Sequence, residues 1–319
     1  MKLAILDSKT LGNDLDLTPL DEFGEVKKYE TTSVEETLDR IQDVEVIITN
    51  KVVITKEMMQ KASKLKLIAV TATGMNNIDL EGAKELNIHV KNVAGYSTSS
   101  VVQHTFTMAL YLMGRVNYYN HYVSDGSWSD SNLFTDVSKP FGEIAGKSWG
   151  IIGFGTIGKE VAKVATAFGA TINYYSTSGQ NKINDYHHYE LEELLTRCDI
   201  ISIHAPLNSS TENLLNSKNL SLLKENAILL NLGRGGIVNE ADLAKELDSR
   251  NIYAGLDVIS KEPIEKSNPL MQIKNKEQLL ITPHIAWASI EARERLLASI
   301  VKNIQNFLEN EKLLQGDIN

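Results

Sequence analysis

Three side chains with acid–base or ion-binding chemistry each follow an apolar run in the second half of this chain. They are Arg234 after the run 227–232, Glu262 after 253–258, and His284 after 279–282. A guanidinium offers a rigid donor fork that matches a carboxylate. A histidine exchanges protons near neutral pH, and a carboxylate beside it holds the imidazole in one tautomer. We therefore predict that these three residues form a catalytic set.

A glycine-rich string, Gly153-Phe154-Gly155-Thr156-Ile157-Gly158, links the strand-like run 148–153 to a helical pattern over 159–169. In a dinucleotide fingerprint the first glycine allows a tight turn, and the second lets the backbone approach the pyrophosphate. The third lets the helix pack closely on the strand. The context predicts nucleotide binding, and the alternative is a glycine turn with only a packing role.

With a nicotinamide bound at this turn, the three side chains suit the reversible reduction of a 2-keto acid to a 2-hydroxy acid. Hydride would come from C4 of the reduced ring and the proton from His284, while Arg234 would polarise and orient the substrate. Other interpretations stay open for each residue. His284 could fill a strand end, Glu262 could be a solvated turn residue, and Arg234 could only neutralise a pyrophosphate.

Apolar runs that alternate with amphipathic helical patterns predict an α/β fold with two doubly wound parallel sheets. The further runs are 3–6, 44–49, 65–70, 88–93, 148–153, 171–175 and 200–203. The glycine string lies near the middle of the chain, so residues before it need a sheet of their own. We predict a substrate domain over 1–98 plus 291–319 and an inserted dinucleotide-binding domain over 99–290.

Composition narrows the functional class of this 319-residue chain. A formal net charge of −9 argues against nucleic-acid binding, which requires a basic face. No apolar stretch is long enough for a membrane span, and no metal site is expected. Cys198 is the one cysteine, so a reducing cytoplasm fits and no intrachain disulfide can form. We interpret Cys198 as a small buried apolar residue.

The motifs together resemble the D-isomer-specific 2-hydroxyacid dehydrogenase family over essentially the whole chain, most closely over about 71–296. The resemblance is carried by the segments 71–79, 92–98, 232–236, 255–258 and 283–288 and by the glycine string. It implies a flavodoxin-like substrate domain, a Rossmann cofactor domain and a cleft between them. It also implies that Arg234 is a substrate-binding catalytic residue, that His284 is the acid/base, and that Glu262 is its partner.

The resemblance implies further roles that the residues alone do not establish. Substrate carboxylate binding falls on Thr73, Gly74 and Met75, together with Arg234. Cofactor binding falls on Gly153, Gly155, Thr156, Ile157, Gly158, Ser176, Pro206, Leu232, Gly233, Asp257 and Trp287, although Trp287 could equally be a core residue. His104, at the start of an apolar helix, is interpreted as an interdomain packing residue. Members of the family are usually homodimers, and the aromatic segment 124–143 could take part in that contact.

One position departs from the dinucleotide pattern. An acidic residue that binds the ribose hydroxyls is expected after the run 171–175, yet Ser176-Thr177-Ser178-Gly179 follows, with Lys182 a little further on. The family favours NAD(H), and NADP(H) stays open because no carboxylate is present to repel a 2′-phosphate. Segments 96–98 and 284–287 most resemble the glycerate dehydrogenase or hydroxypyruvate reductase branch, so hydroxypyruvate and glyoxylate are the expected substrates.

Two other functions are compatible with the same fold. The first is a nicotinamide-sensing binding module, as in transcriptional corepressors of this fold family. The second is a dehydrogenase that oxidises formate or phosphite. Formate enzymes of this fold pair the histidine with a glutamine, whereas this chain has Glu262, and a Glu–His pair suits proton transfer.

Overall fold

The computed structural model describes residues 1–180 and 185–316. The strands are β1 (Lys2–Ile5), β2 (Glu25–Lys28), β3 (Val46–Thr49), β4 (Leu67–Val70), β5 (His89–Lys91), β6 (Ser148–Ile152), β7 (Thr171–Tyr175), β8 (His187–His188), β9 (Ile200–Ile203), β10 (Ile228–Asn231), β11 (Tyr253–Leu256) and β12 (Leu279–Ile281). The helices are α1 (Val34–Ile41), α2 (Lys56–Lys61), α3 (Leu80–Glu85), α4 (Thr98–Met113), α5 (Val116–Ser124), α6 (Thr156–Ala167), α7 (Leu191–Arg197), α8 (Glu240–Ser249) and α9 (Ile290–Gly316).

The chain divides into two compact units. The first consists of Met1–Ser97 with Ala288–Asn319, and the second is the continuous segment Thr98–Trp287. The boundaries lie within three residues of those predicted from the sequence. The second unit is therefore an insertion into the first, and each unit has its own sheet.

The sheet of the first unit is entirely parallel, with strand order β2-β1-β3-β4-β5. This is the flavodoxin-like order. Strands β3 and β4 are buried along their whole length, as expected for strands covered by helices on both faces. Helix α9 packs against β4, and Arg293 of α9 forms a bidentate pair with Asp14 at 2.6 and 2.7 Å.

The sheet of the second unit is also parallel, with strand order β12-β11-β10-β9-β6-β7-β8. Counted from the first strand of the unit, this is the Rossmann order 3-2-1-4-5-6 with one added strand. The order reverses between β6 and β9, and ligands bind at such a switch point beyond the carboxyl ends of the strands. The predicted α/β fold with two doubly wound parallel sheets is confirmed.

Apolar residues fill both faces of the second sheet. On one face the Phe106 and Trp149 rings lie with centroids 5.0 Å apart, and Trp149 is fully buried. The Trp149 indole Nε1 donates to the hydroxyl of Ser202 on β9 at 2.9 Å. The other face buries Cys198 among leucine and isoleucine side chains, and burial raises the pKa of its thiol.

Two edge strands are absent from the sequence-based prediction. Strand β2 has mostly exposed, charged side chains, and β8 has only two residues, so neither shows an apolar run. Helix bounds also differ from those predicted. Helix α4 begins at Thr98, so His104 lies inside it, and α6 begins directly at Thr156. Among the described residues, no helix combines the length and apolarity needed to cross a bilayer.

The buried hydrogen bond between Trp149 and Ser202 can be tested by mutation. We expect Ser202→Ala to lower the free energy of unfolding by about 1–3 kcal/mol, because the indole N–H loses its partner in a dry core. Urea denaturation followed by tryptophan fluorescence measures this change. Ser249→Ala, which removes a hydroxyl bonded to its own helix at the surface, is the matched control and should have almost no effect.

Candidate active site

The turn after β6 requires glycine at two positions. Gly153 has φ +90°, and a Cβ there would lie 2.7 Å from the backbone nitrogen of Ala205. A Cβ at Gly158 would lie 2.4 Å from the carbonyl oxygen of Gly153, so the helix packs directly on the turn. Gly155 differs from both, because a Cβ there would face open space. The turn is therefore closely packed at Gly153 and Gly158, whereas the space beside Gly155 is open.

The helix that follows this turn begins with free backbone donors. Helices α1, α2, α3 and α8 each begin with a side chain that accepts a backbone N–H, whereas α5, α6 and α7 do not. Helix α6 begins at Thr156 and Ile157 after Gly155, with no side-chain cap and no acidic residue in its first turn. Such an end binds anions, because unbonded N–H groups and the positive end of the helix dipole coincide there.

Polar atoms without a protein partner flank the glycine turn. The Ser176 hydroxyl, at the end of β7, is buried and makes no hydrogen bond. Both ring nitrogens of His204, at the end of β9, are also buried without a partner, and burial lowers the pKa of this imidazole to about 3. Buried polar atoms normally have partners. The residues around the turn therefore fit a polar ligand such as the phosphate and ribose groups of a dinucleotide.

The loops after β9 and β10 lie against one another. A Cβ at Gly233 would lie 2.7 Å from the carbonyl oxygen of Ala205. Leu232 is buried and donates its N–H to Ile203 at 3.3 Å. Pro206 is exposed, and its carbonyl accepts the Thr211 hydroxyl at 2.6 Å. These contacts bring the predicted cofactor residues Pro206, Leu232 and Gly233 to the same sheet edge as the glycine turn.

Arg234 is exposed on the tight turn that follows β10. Asn231 organises this turn, since its Nδ2 donates to the carbonyl of Arg234 at 2.9 Å and its Oδ1 accepts the Gly233 N–H at 3.1 Å. The Arg234 Nη1 donates to the Gly233 carbonyl at 2.8 Å. A Cβ at Gly235 would lie 2.1 Å from the carbonyl oxygen of Ile259. The arginine turn is thus packed, backbone against backbone, on the loop after β11.

Glu262 and His284 form a hydrogen-bonded pair. The His284 Nδ1 lies 2.7 Å from Glu262 Oε2, and Glu262 Oε1 accepts the Ile259 N–H at 3.1 Å. A carboxylate only accepts hydrogen bonds, so the Nδ1 atom carries the proton. The Nε2 atom is then the position at which this imidazole exchanges a proton with a substrate. The side chains of His284 and Glu262 are 27% and 36% exposed, so a ligand can reach them.

The backbone around His284 is strained and held by Asp257. His284 has φ +54°, a left-handed conformation that non-glycine residues rarely adopt. Its N–H donates to the Asp257 carbonyl at 2.9 Å. The next two N–H groups, of Ile285 and Ala286, each donate to the Asp257 carboxylate at 2.9 Å. A strained backbone conformation persists only where surrounding contacts hold it in place. The hydrogen bonds to Asp257 hold the backbone at His284.

The remaining predicted residues belong to other segments of the chain. In the first unit, Thr73, Gly74 and Met75 follow β4, with Thr73 exposed and its hydroxyl bonded to the Val93 carbonyl at 3.1 Å. Asn92 Nδ2 donates to the Thr73 carbonyl at 2.6 Å. Trp287 is half-buried and is the last residue of the second unit. Lys182 lies outside the described residues.

Sequence reasoning missed two residues that organise the site, Asn231 and Thr282. Both stand at the ends of strands, and this position is the signal that could have identified them. Thr282 bonds His104 and Asp257, so the polar contact of His104 lies inside the second unit. Within 1–180 and 185–316, no group of three or more His, Cys, Asp or Glu residues is arranged to hold a metal ion.

Comparison with known proteins identifies the family. Residues 106–286 match the model for "D-isomer specific 2-hydroxyacid dehydrogenase, NAD binding domain". A hydroxypyruvate reductase of Blautia hydrogenotrophica is 37% identical over 97% of both chains, and a glycerate dehydrogenase of Methylorubrum extorquens is 35% identical over 96% of both. A D-lactate dehydrogenase of Aquifex aeolicus, solved with NAD and lactic acid, is 26% identical with a TM-score of 0.82 over 97% of this chain and 96% of that chain. The chain belongs to the D-isomer-specific 2-hydroxyacid dehydrogenase family, and it is an oxidoreductase with an NAD-binding domain.

Proposed function

We propose that this protein reduces hydroxypyruvate or glyoxylate with NADH, as a D-glycerate dehydrogenase does. The observation that carries the proposal is the placement of Arg234, Glu262 and His284 at the ends of the adjacent strands β10, β11 and β12, at the same sheet edge as the glycine turn. The similarity to a named hydroxypyruvate reductase and a named glycerate dehydrogenase supports the choice of substrate.

The cofactor would be held by the glycine turn and the start of α6. The free N–H groups of Thr156 and Ile157 would bind the pyrophosphate, and Ser176 would face the ribose. When bound, the reduced nicotinamide supplies hydride from its C4 atom. The Asp257 carboxylate already accepts three hydrogen bonds, from Thr282, Ile285 and Ala286. One further acceptor position on it could take the nicotinamide carboxamide.

The protein's own side chains would supply orientation and the proton. The Arg234 fork would bind the substrate carboxylate and polarise the keto oxygen. We also propose the Thr73–Met75 loop as a source of backbone donors for a substrate carboxylate. His284, protonated at both nitrogens and held by Glu262, would give its Nε2 proton to the keto oxygen as that oxygen gains negative charge. In the reverse direction the neutral imidazole would accept this proton.

The residue at the ribose position does not select strongly between the two nicotinamide cofactors. Ser176 places a hydroxyl where NAD-specific enzymes place a carboxylate that repels a 2′-phosphate. The buried Ser176 hydroxyl makes no hydrogen bond within the described residues. We propose NADH as the preferred cofactor, with measurable use of NADPH.

Formate or phosphite oxidation and a purely sensory role are less well supported. The histidine is paired with Glu262, which serves proton transfer, and formate oxidation does not require a proton acceptor. A sensory module would need no intact pair of this kind. The named relatives are reductases and dehydrogenases, which agrees with an enzyme.

We also propose that the protein is a cytoplasmic homodimer joined through its second unit. Helices α4 and α6 form an apolar groove of about 770 Å³ that includes Phe106, Leu110 and Phe168. Residues 125–143 form an arm after α5, in which Phe134 is 89% exposed and Val137 is 76% exposed. Large exposed apolar patches mark interaction sites, and an isologous dimer would let each arm cover a groove on the other copy. The free thiol of Cys198 fits a reducing compartment.

The reaction is tested by following absorbance at 340 nm with NADH or NADPH against hydroxypyruvate, glyoxylate, pyruvate and 2-ketoisocaproate. We expect hydroxypyruvate or glyoxylate to be reduced fastest. His284→Ala should lower kcat by about 10²–10⁴-fold, because the general acid is lost. Glu262→Gln should lower kcat by about 10-fold, since an amide orients the ring without stabilising its charge. Arg234→Lys should mainly raise KM, because an ammonium group cannot make the bidentate hydrogen bonds of a guanidinium to a carboxylate.

His89→Ala, which removes an exposed histidine of the first unit, is the matched control and should keep wild-type kcat and KM. A kcat that is unchanged in His284→Ala, or a KM that is unchanged in Arg234→Lys, would contradict the proposed roles. Absence of turnover with every acid, while cofactor binding is intact, would favour a binding module or a different reductant.

The glycine turn provides a separate test through cofactor affinity. Gly155→Ala should fold normally, because a Cβ there meets no atom, yet it should raise the Kd for NADH by about 10-fold or more by standing in the path of the pyrophosphate. Gly153→Ala should instead destabilise the fold by about 2 kcal/mol or more, because it clashes and its φ is positive. Fluorescence titration and thermal melting separate the two effects. Equal NADH affinity in wild type and Gly155→Ala would place the cofactor elsewhere.

The dimer is tested by light scattering after gel filtration at about 10–100 µM protein, a range that resolves micromolar association. Wild type should elute as a dimer, and Phe134→Ser combined with Val137→Ser should shift it towards monomer. Val34→Ser changes a valine on α1 that is 65% exposed and should leave the dimer intact. A monomeric wild type, or a variant that stays fully dimeric, would show that the arm is not the interface.

A further inference from the structure

A polar chain of three side chains lies behind the segment that carries His284. The Thr282 hydroxyl is 2.6 Å from Asp257 Oδ1, and His104 Nε2 is 3.0 Å from the same hydroxyl. A carboxylate only accepts, so Thr282 donates its single proton to Asp257. Thr282 must then accept from His104, which fixes the proton on Nε2 of His104. Each of these hydrogen bonds therefore has a defined donor: His104 donates to Thr282, and Thr282 donates to Asp257.

The carboxylate at the end of this chain fixes the backbone of the acid/base segment. Asp257 is 2% exposed, and it accepts the N–H groups of Ile285 and Ala286 in addition to the Thr282 hydroxyl. These donors lie on either side of His284, whose own backbone is left-handed. The orientation of the carboxylate therefore sets where the His284 ring stands.

Helix α4 holds the same segment at two points one turn apart. The Ser100 hydroxyl donates to the Ala286 carbonyl at 2.6 Å, and His104 reaches Thr282 from the next turn. His104 Nε2 also lies 3.7 Å from Asp257 Oδ1. The side chain of His104 is 17% exposed and that of Asp257 only 1%, so the contacts are shielded from water. Shielded, charge-assisted hydrogen bonds define geometry more strongly than surface ones.

We propose that Thr282 and His104 are positioning residues that act on His284 through Asp257. They do not touch the reacting atoms. Thr282 holds the Asp257 carboxylate in the rotamer that binds the Ile285 and Ala286 amides, and His104 orients the Thr282 hydroxyl. The proposal rests on His284 being the proton donor of the proposed reduction.

The decisive variant is Thr282→Val, which keeps the shape of the side chain and removes its hydroxyl. We expect kcat for hydroxypyruvate to fall by about 10-fold, with the KM for hydroxypyruvate changed by less than about 2-fold. Thr282→Ser restores the hydroxyl and should recover most of kcat. Deuterium exchange of the peptide that contains Ile285 and Ala286 should be faster in Thr282→Val than in wild type. Thr166→Val, which removes an exposed hydroxyl bonded within α6, is the matched control.

His104→Phe removes the other hydrogen bond of Thr282. It tests the proposal independently if Thr282→Val does not fold. It should lower kcat by about 3-fold, less than Thr282→Val, because the bond between Thr282 and Asp257 remains. The proposal is overturned if kcat is unchanged in both variants, if Thr282→Ser does not recover activity, or if the loss appears in the KM for hydroxypyruvate and not in kcat. His284→Ala separates the two hypotheses, because full activity in that variant would refute the proposed function itself.

Discussion

The Asp257 carboxylate is the constraint on which the rest of the site depends. It is buried at the end of β11, and its oxygens bind two consecutive backbone amides and a threonine hydroxyl. These bonds offset the cost of the left-handed conformation at His284, which is about 1–3 kcal/mol for a residue of this kind. The histidine thus stands where Glu262 can bind its Nδ1 atom.

Close backbone contacts fix the other parts of the same sheet edge. The turns after β6 and β10 both approach the Ala205 backbone at their glycines, and the arginine turn approaches Ile259 at Gly235. Contacts at this distance leave no room for a methyl group. The glycine turn, the Arg234 turn and the Glu262 loop therefore form one rigid surface, and their relative positions need no ligand to define them.

Much of this architecture is predictable from sequence, for physical reasons that differ by element. Buried parallel strands such as β9 and β10 read as continuous apolar runs, and the glycine string identifies the switch point. The edge strand β2 carries charge and shows no run, so it was missed. Arg234, Glu262 and His284 could be placed at one edge, because parallel strands share their carboxyl ends. Thr282 could not be placed, because its role depends on His104, a residue distant in sequence that only folding brings beside it.

The insertion of one unit into the other has a consequence for how such proteins diversify. Arg234, Glu262 and His284 all lie within the uninterrupted segment Thr98–Trp287, whereas the first unit consists of two separate pieces of the chain. Genetic recombination with two breakpoints would therefore transfer the glycine turn, Arg234, Glu262 and His284 together. The Thr73–Met75 loop belongs to the first unit and would not be transferred with them, so the two sets of residues can vary independently.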